Sequence, residues 1–166
     1  MATPHSPVRV VIAEVHPAVR RSLRLLLEGE PWCRVVAEVA DLSVVTRCVH
    51  DQSPHVLVLD LQMSKAAGRE LIRDLHRQAP GTAIVAVTME RSPGLAARVL
   101  DMGATGFVLK DRADAELAAA VRHAARGVRY VSPCVAPALE SLRATCPPGR
   151  VRIRVARAAD RPPAAR

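Results

Sequence analysis

Apolar residues along the chain alternate between short β-branched runs and longer stretches with a helical repeat. Val8-Arg9-Val10-Val11-Ile12-Ala13 reads as a first strand. Glu14-Val15-His16-Pro17 breaks it, and Pro17 suits the first turn of a helix. Val19, Leu23, Leu26 and Leu27 then give one apolar helix face, stopped by Gly29 and Pro31. Cys33 to Val39 predicts a second strand. Asp41 is placed to cap a second helix whose face is Val44, Val45, Cys48 and Val49, and Ser53-Pro54 ends that unit. The third strand, His55 to Leu59, is Val or Leu at four of five positions and stops on a lone acid, Asp60. Such a run is expected to be buried on both faces of a parallel sheet.

A loop through Ser64 to Gly68 leads to a third helix with Leu71, Ile72 and Leu75 inward, which stops before Pro80-Gly81. Thr82 to Thr88 predicts a fourth strand. Ser92-Pro93 is a cap followed by proline at the first helical position, and Leu95, Val99 and Leu100 face inward from that helix until Gly103. Gly106 to Leu109 predicts a fifth strand. Asp111 and Asp114 open a last helix with Leu117, Val121 and Ala124 inside, closed by Gly127. Strict β-α alternation demands a parallel sheet with right-handed crossovers. The expected fold is α/β: a flavodoxin-like, doubly wound, five-stranded sheet of order 2-1-3-4-5 with helices on both faces. The domain is expected over 7–131. Tyr130-Val131-Ser132-Pro133 leads into a short helix over Val135 to Leu142, within a linker at 132–145, and a basic tail follows at 146–166.

Composition narrows the class. Of 166 residues 49% are apolar but only 2% aromatic, so the core must be aliphatic. No apolar run reaches the roughly 18 residues a bilayer span needs, and Arg9 and Glu14 interrupt any secretory pattern. A cytoplasmic protein without membrane contact is expected. Cys33, Cys48, Cys134 and Cys146 are dispersed without zinc-site spacing. From Arg143 onward there are seven Arg and one Asp, so that last segment carries +6 of the net +8. An Arg-rich arm can neutralise nucleic-acid phosphates non-specifically. It has no aromatics for base stacking, so a solvated tail is the plainer reading.

The candidate chemistry lies at the carboxyl ends of the strands, where open α/β sheets place ligands. Glu14, Asp60, Thr88 and Lys110 end strands 1, 3, 4 and 5. In a parallel sheet they share one edge. No glycine-rich phosphate loop follows strand 1, and no nucleophile elbow is present. An enzyme acting on a small molecule is therefore not expected.

These residues carry a resemblance. Ile12-Ala13-Glu14-Val15-His16-Pro17, Val58-Leu59-Asp60-Leu61-Gln62-Met63, Thr88 and Gly103-Ala104-Thr105-Gly106-Phe107-Val108-Leu109-Lys110-Asp111 are similar to receiver domains of two-component response regulators. The branch resembled is the NarL/FixJ one, and Arg126-Gly127-Val128-Arg129-Tyr130-Val131-Ser132-Pro133 is similar to it too. The resemblance implies that Asp60 accepts a phosphoryl group from a histidine kinase and that Lys110 pairs with it. Thr88 and Phe107 would form a switch, and Glu14, Asp60 and the Gln62 carbonyl would surround Mg²⁺. It also implies a link to transcription regulation and allows a homodimer.

Three departures stand out. Val15 occupies the position of the second acid, which in the family is the direct metal ligand. Met63-Ser64-Lys65-Ala66-Ala67-Gly68 lacks the family's proline and acid and gains Lys65. Met89 follows Thr88 where a small residue is common. The first departure weakens the expected Mg²⁺ site and keeps a second mode open: a phosphorylation-independent interaction module on the same fold. The branch also continues into a LuxR-type helix-turn-helix domain, a pattern absent from the Arg/Ala/Pro tail.

Overall fold

The computed structural model describes residues 6–63 and 67–145. The Ser64 to Ala66 part of the loop with Lys65, and the tail from Cys146 on, lie outside the described residues. At the centre of the sheet stands β3, Val56–Asp60, every residue of which is buried. Around it run β1 (Val8–Ala13), β2 (Cys33–Val39), β4 (Ala83–Thr88), β5 (Gly106–Leu109) and β6 (Tyr130–Val131). The order is β2-β1-β3-β4-β5-β6, parallel throughout. The sheet thus has six strands where the sequence predicts five. Two residues are too few to show a period, so Tyr130–Val131 reads as a lead-in to the next helix.

The helices are α1 (Pro17–Glu28), α2 (Val45–Gln52), α3 (Ala67–Gln78), α4 (Pro93–Asp101), α5 (Ala113–Ala124) and α6 (Ala136–Thr145). Strand alternation sorts the core into two layers. Val10, Ile12, Val56, Val58, Val85, Val87 and Val108 pack with Leu23 and Leu27 of α1 and Leu117 and Val121 of α5. Val11, Ala13, Leu57, Leu59, Ile84, Ala86 and Phe107 pack with residues of α2, α3, α4 and α6. Val135 and Leu139 belong to this second layer, which seats α6 against the body.

Several helix starts differ from the sequence reading. A 3₁₀ turn, Leu42–Val44, precedes α2, and Asp41 caps that turn by accepting from the Ser43 amide at 2.9 Å. Val44 is therefore exposed, and the inner face of α2 is Val45 and Val49 with Cys48 half-buried. A second 3₁₀ turn, Lys110–Arg112, holds Asp111, so α5 begins at Ala113. The predicted loop through Gly68 is shorter, because α3 starts at Ala67. Ser92 caps α4 as expected, its Oγ accepting from the Leu95 amide at 3.1 Å.

Gly103 closes α4 at φ +115°, and a Cβ there would lie 2.7 Å from the Cβ of His76 on α3. Gly127 also has positive φ, +70°, but open space around it. Gly103→Ala is accordingly expected to cost about 2 kcal/mol or more, and Gly127→Ala about 1 kcal/mol. Urea unfolding of the two variants checks this; equal effects would show that the His76 contact does not matter.

Candidate functional site

The same alternation that builds the core delivers the site. Val56 and Val58 face the α1/α5 layer, and Asp60 continues that face at the end of β3. Glu14 follows Val10 and Ile12 by the same step of two, and Lys110 follows Val108. The three meet. The Lys110 ammonium lies 2.6 Å from Glu14 Oε2 and 2.9 Å from Asp60 Oδ2. Both carboxylates are fully buried, and the lysine side chain is only 8% exposed.

The outer oxygens are held by backbone. Asp60 Oδ1 accepts from the Gln62 amide at 2.9 Å. Glu14 Oε1 accepts from the His16 amide at 2.9 Å and lies 3.0 Å from His16 Nδ1. Arg20 donates to the Glu14 carbonyl at 2.8 Å, fixing the turn from below. One cation thus serves two acids, and they do not share it equally. Burial pushes Glu14 up, but Lys110 and the two contacts from His16 outweigh it and hold Glu14 below its ordinary value. For Asp60 burial dominates. The Gln62 amide and Lys110 offset it only in part, and the Glu14 charge adds to it, so Asp60 sits above its ordinary value.

Thr88 ends β4 on the opposite face, continuing Ile84 and Ala86, and is nearly fully buried. Its Oγ1 accepts from the Glu90 amide at 3.1 Å. Phe107 shares that face, with Ala86 of β4 as its partner in register and Leu109 opposite Thr88. Thr88 and Phe107 therefore stand together on the α4 side, while Glu14, Asp60 and Lys110 stand on the α1/α5 side. Val15 is 43% exposed and Met89 52%. With His16 and Gln62, Met89 rims an open groove of about 630 Å³ that runs from Lys110 toward Leu23 and Leu26 on α1.

The donor set can be matched to a metal. One ligand atom each from Glu14, His16 and Asp60 lies within 4.8 Å of the others. Mg²⁺ is commonly held by one or two carboxylates, with waters and phosphate oxygens completing its octahedron. Two acids meet that lower limit, and Val15 supplies no third.

Two features escaped the sequence reading. His16 orients Glu14, a role its neighbour Pro17 concealed by marking the stretch as a helix start. Ser132 and Glu116 form a buried hydrogen-bonded pair behind β5. Its signal was available: Glu116 falls on the apolar face of α5 with Ala113, Leu117 and Ala120.

A buried acid at the end of the central strand, bridged to a second buried acid by a lysine that directly follows β5, defines a receiver. Residues 10–122 match the response regulator receiver domain, and the chain belongs to that family. Among its relatives is the transcriptional regulatory protein RcsB of Escherichia coli K12, 31% identical over 140 residues, covering 82% of this chain and 65% of RcsB. The chain thus spans just under two thirds of that relative's length. A LuxR-family response regulator from Aurantimonas sp. SI85-9A1 superposes with a TM-score of 0.78 at 31% identity, over 84% of this chain and 99% of that one. The isolated receiver domain of RcsB from Salmonella enterica serovar Typhimurium, solved in the presence of the phosphomimetic BeF₃⁻, gives 0.73 at 31% identity, over 81% and 99%. Among the described residues no helix is long and apolar enough to cross a membrane.

Proposed function

We propose that Asp60 accepts a phosphoryl group from the phosphohistidine of a histidine kinase, and that this chain relays the signal toward transcription control. The observation that carries the reading is the Lys110 ammonium, 2.9 Å from a fully buried Asp60. An Asp60 oxygen attacks phosphorus, the P–N bond breaks and the imidazole leaves with the electron pair. Phosphoryl transfer asks the protein mainly for positioning and charge neutralisation. Asp60, held above its ordinary pKa, is the more nucleophilic of the two acids, and Lys110 is the compact point charge for the arriving oxygens. Glu14, Asp60 and the Gln62 carbonyl would hold Mg²⁺, which when bound neutralises phosphoryl oxygens. Thr88 and Phe107 are the proposed switch: a Thr88 hydroxyl drawn to the phosphoryl group vacates space on the α4 face, which Phe107 shares. The RcsB receiver studied with BeF₃⁻ supports the reading, and RcsB's role as a transcriptional regulator supports the output.

Incubation with acetyl phosphate and Mg²⁺, read by intact mass, tests it. One phosphoryl adduct is expected on the wild type and none on Asp60→Asn. No adduct, or one that survives the substitution, rejects the proposal.

A specific observation favours a second reading, the phosphorylation-independent interaction module. Val15 stands where the metal-binding acid is expected and faces solvent, leaving Asp60 buried under Lys110. Absence of the adduct together with an unchanged fold is the outcome that selects it.

A further inference from the structure

Ser132, directly after β6, is fully buried and uses every polar atom it has. Its amide donates to the Phe107 carbonyl at 2.8 Å. Its Oγ accepts from the Leu109 amide at 2.9 Å, and its hydroxyl donates to the Glu116 carboxylate. Its carbonyl accepts from the amides of Val135 and Ala136, at 2.8 and 3.1 Å, just where α6 begins. The β5–β6 ladder stops at Phe107 and Val131. Beyond it the Leu109 amide is a donor with no strand to meet among the described residues, and Ser132 Oγ takes the place of the missing rung.

Leu109 is the residue before Lys110. The 3₁₀ turn Lys110–Arg112 that follows has no side-chain cap. The Leu109 amide is thus the fixed point nearest the lysine on the β6 side. Glu116 is only 8% exposed and sits among alanines and Leu117. Burial is the largest influence on its carboxyl and holds it above the ordinary range, against the opposing Ser132 hydrogen bond. An acid in such surroundings costs stability unless it is hydrogen-bonded, and a leucine there would pack without that penalty. What the acid supplies is an acceptor for the Ser132 proton, which leaves a serine lone pair facing Leu109.

We propose that Ser132 and Glu116 are positioning residues for Lys110. Together they pin the Leu109 amide, and so the backbone from which the ammonium spans Glu14 and Asp60. The inference rests on the reading of Asp60 as phosphoacceptor for its effect on rate, but not for its effect on the lysine. Misplacing a charged group by a fraction of its contact distance slows a reaction that depends on position.

The test is Glu116→Leu, with Glu116→Gln as the conservative rescue and Ser132→Ala as a second disruption. The chain has two lysines, Lys65 and Lys110, so a ¹⁵N-lysine spectrum reads the Lys110 ammonium directly, with Lys65→Arg for assignment. Glu116→Leu is expected to melt at or above the wild-type temperature, to label with acetyl phosphate about tenfold more slowly, and to shift or broaden the Lys110 ammonium signal. Ser132→Ala is expected to show the same two defects, and Glu116→Gln, whose amide oxygen still accepts from Ser132, to show neither. A folded Glu116→Leu or Ser132→Ala protein with the wild-type ammonium signal and labelling rate overturns the proposal. If the wild type itself takes no phosphoryl group, the acceptor reading fails, and the ammonium signal alone decides the positioning role.

Discussion

Replacing Lys110 by methionine lowers the unfolding free energy at neutral pH by about 3–5 kcal/mol. Methionine keeps most of the apolar stem, so the loss is electrostatic. Glu14 and Asp60 are both fully buried, and the ammonium contacts each. Without it, two carboxylates face one another with no lysine or arginine partner among the described residues, and the pKa of the pair rises above its unfolded values. A group raised in this way stabilises the fold below its unfolded pKa, and that contribution is lost as pH rises through the folded value. The deficit against wild type is therefore largest at neutral pH and shrinks as pH falls toward about 4, where unfolded carboxylates protonate. Urea unfolding in the presence of a chelator, at neutral and acidic pH, measures it. A variant as stable as wild type at neutral pH would refute the bridging role. Acetyl-phosphate labelling of Asp60 is expected to fall by about a hundredfold or more in the same variant, because the arriving charge loses its fixed counter-charge.

Replacing Val15 by aspartate acts in the opposite sense. Val15 is 43% exposed, so the change removes only part of a valine's packing and is expected to leave the melting temperature nearly unmoved. It adds a third acid, directly after Glu14 in the chain. Affinity for hard divalent cations rises with the number of charged oxygen ligands, and Mg²⁺ affinity is expected to increase by about tenfold or more. Calorimetric titration with Mg²⁺ reads the change, and labelling by acetyl phosphate is expected to quicken with it. An affinity unchanged from wild type would mean that position 15 does not reach the ion, and that the departure at Val15 does not limit this receiver.

The sheet was legible because its strands are buried on both faces. Val10-Val11-Ile12 and Val56-Leu57-Val58-Leu59 have no other use in a chain of this length, and all seven residues are fully buried. Ser92-Pro93 and Gly103 were legible as helix ends because backbone geometry, not packing, selects those residue types. The 3₁₀ turns at Leu42–Val44 and Lys110–Arg112 were not legible. Each displaces a helix start by a few residues, and an apolar face cannot report that shift. It exposed Val44 and took Asp111 out of α5. At the site, strand ends foretold that Glu14, Asp60, Thr88 and Lys110 would share one edge; the two acids and the lysine meet there, while Thr88 stands on the α4 face. Strand ends did not foretell that Lys110 would bridge both acids, because that depends on side-chain reach across β1, β3 and β5. Nor could spacing reveal Ser132 beside Leu109, the residue before Lys110, since the contact joins residues 23 apart through the edge of the sheet.

The two margins of that sheet have one further consequence. β6 offers a ladder of two residues. At the other margin β2 exposes Arg34 and Glu38, and Glu38 is paired with Arg20 and Arg24 of α1, both at 3.5 Å. A shift of register between Val10 and Val11 also interrupts the pairing of β1 with β2. Short, charged and irregular borders are poor templates for a strand arriving from another molecule. A chain so rich in valine, whose strands taken singly would favour fibrillar stacking, is thereby shielded from edge-to-edge polymerisation once it has folded.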